Sequence, residues 1–139
     1  MSSREIAQEE GWRGQVVYED GYGRTQRLSH RPDLGTYVGQ SRRVAVEVEL
    51  QRKSSARLRG ILAMYATRTA GGDGELAGVV YITAGAGVAA TLRTTAAAVG
   101  LGEHPEGRLR LLALEDVVAQ TRQAGAGARE SAGALRAAS

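Results

Sequence analysis

His30-Arg31-Pro32-Asp33, then Val44-Ala45-Val46-Glu47-Val48-Glu49-Leu50 and, just beyond, Lys53 form the stretch on which the reading of this chain turns. In the second segment Val44, Val46, Val48 and Leu50 alternate with Ala45, Glu47, Glu49 and Gln51, the period-two pattern of a β-strand. Side chains two apart share a face, so Glu47 and Glu49 project together from the side opposite the valines. A face that is merely solvated normally carries mixed polar residues. Two carboxylates there, with Asp33 supplied from a neighbouring strand end, suit a hard divalent cation. Mg²⁺ takes one or two carboxylates and completes its shell with water and phosphate oxygens. A cation so held polarises a phosphate and activates a water for attack. The competing reading is that the acidic trio is only a solvated strand face.

Working outward, residues 2 to 10 read as a short helix capped by Ser3 and stopped at Gly11, with Glu5 or Glu9 as an acidic residue that could approach the site. Gly14 to Glu19 and Arg24 to Ser29 read as strands joined by the turn Asp20-Gly21-Tyr22-Gly23. Pro32 has no N–H for a ladder, so it marks a strand end or a bulge that re-aims Asp33. Leu34 to Val38 and Arg43 to Leu50 complete an antiparallel meander with Asp33 and Glu47 on adjacent strands. Ser54 or Ser55 then caps a helix running to about Thr69, whose stripe Leu58, Ile61, Leu62 and Tyr65 packs on the sheet.

Downstream, Ala77 to Thr83 is a nearly continuous apolar strand of the kind buried on both faces. A helix over residues 87–99, a strand over 108–113 and a helix over 115–123 follow. This order predicts an α/β three-layer fold, a mixed sheet extended by helical crossovers and flanked by helices. Residues 1–122 form one domain, and 123–139 read as an Ala/Gly-rich flexible tail. Thr83-Ala84-Gly85-Ala86-Gly87 resembles a phosphate-binding glycine turn, but it lacks the third glycine of a dinucleotide fingerprint and the ending of a P-loop. It reads as a strand-to-helix connection.

Pro32-Asp33, the spacer and Glu47 resemble the PD-(D/E)xK nuclease superfamily, whose motif is Pro-Asp, a spacer, an acidic residue, any residue and Lys. Glu49 stands where that Lys is usual, and Lys53, at the start of the following helix, is the only lysine of the chain. Within the superfamily the run looks most like the nuclease-like domain of replication-relaxation proteins from actinobacterial mobile elements, over roughly residues 28 to 118. The resemblance implies a restriction-endonuclease-like core and a metal-dependent DNA nuclease. Asp33, Glu47 and the Val48 carbonyl would hold Mg²⁺ or Mn²⁺, and Glu49 would join that centre by orienting or deprotonating the attacking water. Lys53 would stabilise charge on the phosphate under attack, and Arg57 would hold the scissile or an adjacent phosphate. His30, Arg31, Arg52, Arg57 and Tyr65 are the DNA-contact candidates, with Tyr65 also a member of the core stripe.

Composition narrows the alternatives. The 139-residue chain has no cysteine and only two histidines, His30 and His104, which removes thiolate sites and makes a histidine-built zinc site improbable. No apolar run approaches the ~20 residues of a membrane span and the polar start lacks a signal-peptide pattern, so the expectation is a cytoplasmic protein with no membrane partner. No nucleophile-elbow motif supports acyl transfer. The net charge is +3 with a pI of about 9.7, and all but one of the 18 basic residues are arginine. Arg42, Arg43, Arg52, Lys53, Arg57, Arg59 and Arg68 surround Glu47 and Glu49, a positive setting that a phosphodiester requires. A GC-rich coding sequence would also place arginine wherever a cation is tolerated. DNA is the expected partner, in a homodimer that would let two sites address two strands. The alternative is a catalytically inactive DNA-binding or protein-interaction module serving a replication or mobile-element protein.

Overall fold

The computed structural model describes residues 12–39, 42–51, 54–70, 75–102 and 108–125. The strands are β1 (Gly14–Glu19), β2 (Thr25–His30), β3 (Leu34–Val38), β4 (Arg42–Glu49), β5 (Gly78–Thr83) and β6 (Leu109–Ala113). The helices are α1 (Ser55–Arg68) between β4 and β5, α2 (Ala86–Ala98) between β5 and β6, and α3 over residues 114–125. The class is α/β, as the sequence predicts. The expected helix over 2 to 10, with Glu5 and Glu9, lies outside the described residues, as do Arg52, Lys53, His104 and the segment beyond 125.

The predicted meander divides in two. β1 and β2 form a separate two-stranded antiparallel hairpin, while β3-β4-β5-β6 form a four-stranded sheet in that order. The break falls at Pro32, whose missing N–H interrupts pairing, so of strand end and bulge it is the strand end that the structure has. β3 pairs antiparallel with β4, and β5 and β6 add in parallel through α1 and α2. Parallel neighbours joined by right-handed crossovers place both helices on one side of the sheet. Accordingly, α1 packs against α2, and on its other flank against β1.

That shared side is the carboxylate side. Along β4, Ala45, Glu47 and Glu49 are buried, whereas Val44, Val46 and Val48 are only half-buried. The two-apart parity holds, but the acidic face is the covered one. β5 behaves likewise: Val79, Tyr81 and Thr83 are buried while Val80 and Ile82 are half-buried, so the strand is not enclosed on both faces as its apolar run suggests. The core lies between the sheet, the hairpin and the two helices, and includes Trp12, Val16, Ala45, Leu62, Tyr65, Val79, Tyr81 and Leu92.

α1 is anchored as its sequence requires. The Ser54 hydroxyl accepts from the Arg57 N–H at 3.3 Å, satisfying a first-turn donor. Leu58, Ile61, Leu62 and Tyr65 are all buried, and each such side chain contributes roughly 1.5–3 kcal/mol relative to exposure. Gly60, also buried, lets the hairpin approach: a Cβ there would stand 3.0 Å from Val16 Cγ1 and 3.1 Å from the Val17 carbonyl. At the helix end Arg68 donates to the Trp12 carbonyl at 2.9 Å and to Glu75 at 2.8 Å. It is therefore a structural cation, and not part of a positive surround for phosphate. Arg43 lies over the Trp12 ring, 5.5 Å from its centroid, which binds a second arginine of that group to the core.

Candidate active site

Glu47 is the centre of the site. It is 2 % exposed, and a carboxylate so far from water must be hydrogen-bonded. Its Oε1 receives the Tyr65 hydroxyl at 2.7 Å and lies 2.9 Å from His30 Nε2. Each partner arrives on a different element: Tyr65 from the buried stripe of α1, His30 from the last position of β2. Their rings meet edge to face at 6.2 Å, which orients both. Both contacts fall on Oε1.

Asp33 sits one residue before Leu34, which pairs with Val46, so it is placed across from Glu47. It is exposed, and its Oδ2 accepts the Val48 N–H at 2.8 Å. This bond ties the Pro-Asp turn to β4 and thereby fixes the second carboxylate. Glu49 is buried on the same face as Glu47, beside Thr83 in the parallel ladder.

Tyr81 is the residue the sequence reading missed. It is directly opposite Glu47 in register, is fully buried, and its ring stacks edge to face on Tyr65 at 6.4 Å. Its hydroxyl is buried and has no hydrogen-bond partner among the described residues. Burial, followed by the negative charges of Glu47, Glu49 and Asp33, pushes the Tyr81 phenol well above the usual tyrosine range, so it remains a proton donor. Tyr65 is raised well above that range too, chiefly by burial and then by Glu47. The signal for Tyr81 was present: a phenol inside an otherwise apolar strand needs a partner for its O–H.

The nucleic-acid candidates divide. Tyr65 is 0 % exposed and donates to Glu47, so it is a positioning group and cannot contact DNA. His30 likewise orients Glu47. Arg57 is exposed in the first turn of α1, and Arg31 is half-buried with its Nε lacking a partner among the described residues. Among the described residues no group of three or more His, Cys, Asp or Glu side chains gathers closely enough to hold a metal ion. A Mg²⁺ held by two carboxylates and water does not require one. The Tyr81 hydroxyl, unpartnered among the described residues and within the electrostatic reach of Asp33, Glu47 and Glu49, fits such a cation, because an oxygen of its water or phosphate shell would be the acceptor the phenol lacks.

Compared with protein-family models, with curated proteins and with solved structures, the chain matches none of them. Among the described residues no helix is long and apolar enough to cross a membrane.

The raised phenols carry a pH prediction. Because the fold holds Tyr65 and Tyr81 in the neutral form, their contribution to stability is fully present below the ordinary tyrosine value of 10.0 and is lost as pH rises towards their folded values. In an alkaline titration followed by phenolate absorbance, these two groups should ionise together with loss of the near-ultraviolet circular dichroism. Ionisation of all five tyrosines before any unfolding would refute the placement.

Proposed function

We propose that this chain is a metal-dependent nuclease domain that hydrolyses phosphodiesters in DNA, of the PD-(D/E)xK type with a restriction-endonuclease-like core. The observation that carries the reading is the buried Tyr81 hydroxyl, without a hydrogen-bond partner among the described residues and within the electrostatic reach of Glu47, Glu49 and Asp33. Leaving such a donor unsatisfied costs about 1–3 kcal/mol, a cost that an external oxygen ligand removes.

Asp33 and Glu47 would hold Mg²⁺ or Mn²⁺, with the Val48 carbonyl as a further ligand. When bound, such a cation supplies Lewis-acid polarisation of the phosphate and a more acidic water. His30 and Tyr65 hold Glu47 through Oε1 and so fix the direction of its other oxygen. Glu49 orients the attacking water or takes its proton. Tyr81 donates to an oxygen of the phosphate or of that water. Arg57, at the positive end of the α1 dipole, offers counter-charge to the backbone, and Arg52 and Lys53 precede that helix in the sequence.

A second reading has its own support. With two protein donors on one oxygen, Glu47 also serves as a buried structural anchor, the state expected of a catalytically inactive DNA-binding or protein-interaction module, such as one assisting replication of a mobile element. Supercoiled, single-stranded and branched DNA in Mg²⁺, Mn²⁺ or EDTA separates the two. Cleavage that requires metal and disappears in Glu47→Gln establishes the nuclease, while DNA binding without cleavage on every substrate establishes the module. In the nuclease, Mg²⁺ should also raise the melting temperature, by a stabilisation of about 2.7 kcal/mol at roughly a hundredfold excess over Kd. Asp33→Asn should abolish that rise. Equal rises in wild type and variant would remove Asp33 from the centre.

A further inference from the structure

Among the described residues β1 pairs only with β2, and its other edge opens onto a groove of about 520 Å³. Arg13, Gln15 and Val17 form one wall of this groove, and Gly60, Ala63 and Thr67 of α1 form the other. An unpaired strand edge presents a row of N–H and C=O groups, which proteins commonly blunt with charge, proline or a bulge. β1 has none of these along its middle: it reads Gly14-Gln15-Val16-Val17-Tyr18-Glu19, and its register with β2 is unbroken.

The parity of the hairpin fixes which groups face outward. The Asp20 N–H donates to the Arg24 carbonyl at 2.9 Å, so the pair closing the turn is hydrogen-bonded. Bonded and non-bonded pairs alternate along an antiparallel ladder. Tyr18, Val16 and Gly14, opposite Gln26, Leu28 and His30, therefore bond across to β2. The N–H and C=O of Gln15, Val17 and Glu19 turn to the open edge. The side chains of these three residues are exposed, and Val17, at 48 %, places an apolar group at the centre of the edge.

We propose that β1 pairs antiparallel with β1 of a second copy of this chain, about a two-fold axis at Val17. Such an interface is isologous, so the strand must be complementary to itself. In this register Val17 lies opposite its own copy, and each covers the other's exposed side chain. Gln15 lies opposite the second copy's Glu19, an amide donor against a carboxylate. Arg13 stands diagonally from that same Glu19, within reach of a long side chain. The outer edge of β2 lacks this complementarity, because Arg27 at its centre would meet its own charge. Pairing through β1 joins the two hairpins into one four-stranded sheet and sets both α1 helices on the same side of it. Ala63, half-buried, and Thr67, exposed, are small enough to admit the second helix. Because His30 ends β2 and Tyr65 belongs to α1, the interface braces both elements that hold Glu47. It does not depend on the chemistry proposed for that centre.

Sedimentation equilibrium of the full chain over a wide concentration range, paired with amide hydrogen exchange, tests this. The chain should show a reversible monomer–dimer equilibrium, and protection of the Gln15, Val17 and Glu19 N–H groups should rise with the dimer fraction. Val17→Pro removes an outward N–H that the β2 ladder does not use, so it should abolish the dimer. Charge variants at exposed side chains test the register without touching the backbone, and they carry the test if the proline variant fails to fold. Gln15→Glu sets like charges opposite each other and should weaken the dimer about tenfold, while Gln15→Lys should tighten it by a similar factor. Adding Glu19→Gln to Gln15→Glu should restore most of the loss. A chain that stays monomeric up to about 1 mM overturns the proposal. So does a dimer indifferent to the Val17 and Gln15 variants, whose interface then lies elsewhere. Loss of the dimer in Val17→Pro with no response to either charge at position 15 would overturn the register centred on Val17.

Discussion

Glu47→Ala should lower stability by about 1–3 kcal/mol, whereas Glu47→Gln should stay within about 1 kcal/mol of wild type, and neither should cleave DNA or bind a divalent cation. The separation follows from the geometry of one oxygen. Alanine leaves the Tyr65 hydroxyl, wholly buried, and His30 without their common acceptor, and a stranded buried donor forfeits its full desolvation cost. Glutamine keeps a carbonyl oxygen at nearly the same place and volume, so both donors remain served. What glutamine lacks is charge, and a hard cation requires it. Urea unfolding with unchanged slope, paired with a plasmid-cleavage assay, reads both effects. Retained metal-dependent cleavage in Glu47→Gln would exclude Glu47 as a ligand. Equal destabilisation by Gln and Ala would show that the negative charge itself, facing His30, holds the cluster together.

How much of this centre was legible follows from what periodicity encodes. Alternation in residues 44–51 gives strand identity and parity, so Glu47 and Glu49 on one face and Asp33 across from them could be read directly, as could the α1 stripe and its Ser54 cap. Parity does not say which face is covered. Valines on one side and carboxylates on the other suggest an apolar inside, yet the hairpin and both crossover helices stack on the carboxylate side. Glu47 is tolerated there only because His30 and Tyr65, distant in sequence, converge on it. Such convergence depends on tertiary packing that no local pattern carries. Tyr65 reads both as core and as a nucleic-acid candidate for the same reason, since its position on the stripe is visible but its partner is not. A run of Val, Ile and Ala masks the single hydroxyl of Tyr81, although its register opposite Glu47 puts it within the electrostatic reach of all three acids.

Gly60→Leu should destabilise the protein by about 3 kcal/mol and loosen the site at the same time. A glycine in the middle of α1 is unfavourable to the helix by about 1 kcal/mol relative to alanine, so its presence needs a packing reason. That reason is β1, whose Val16 Cγ1, Val17 carbonyl and Tyr18 Cβ would lie 3.0 to 3.1 Å from a Cβ at this position. Backbone and β-carbon atoms cannot swing aside as a flexible side-chain end would. Leucine therefore has to push the hairpin off the helix, and overpacking of this kind costs about 1–3 kcal/mol or more. Alanine, whose helical gain offsets a tight contact, should fall much closer to wild type. The functional consequence follows from the two arms of the Glu47 cluster: α1 carries Tyr65 and the hairpin carries His30. Separating these elements draws the donors apart, so Gly60→Leu should weaken cation-induced stabilisation while leaving every carboxylate in the sequence. A variant with wild-type stability would show that the hairpin is not seated on α1. One that unfolds more easily yet binds cation as tightly as wild type would show that Glu47 is held without His30.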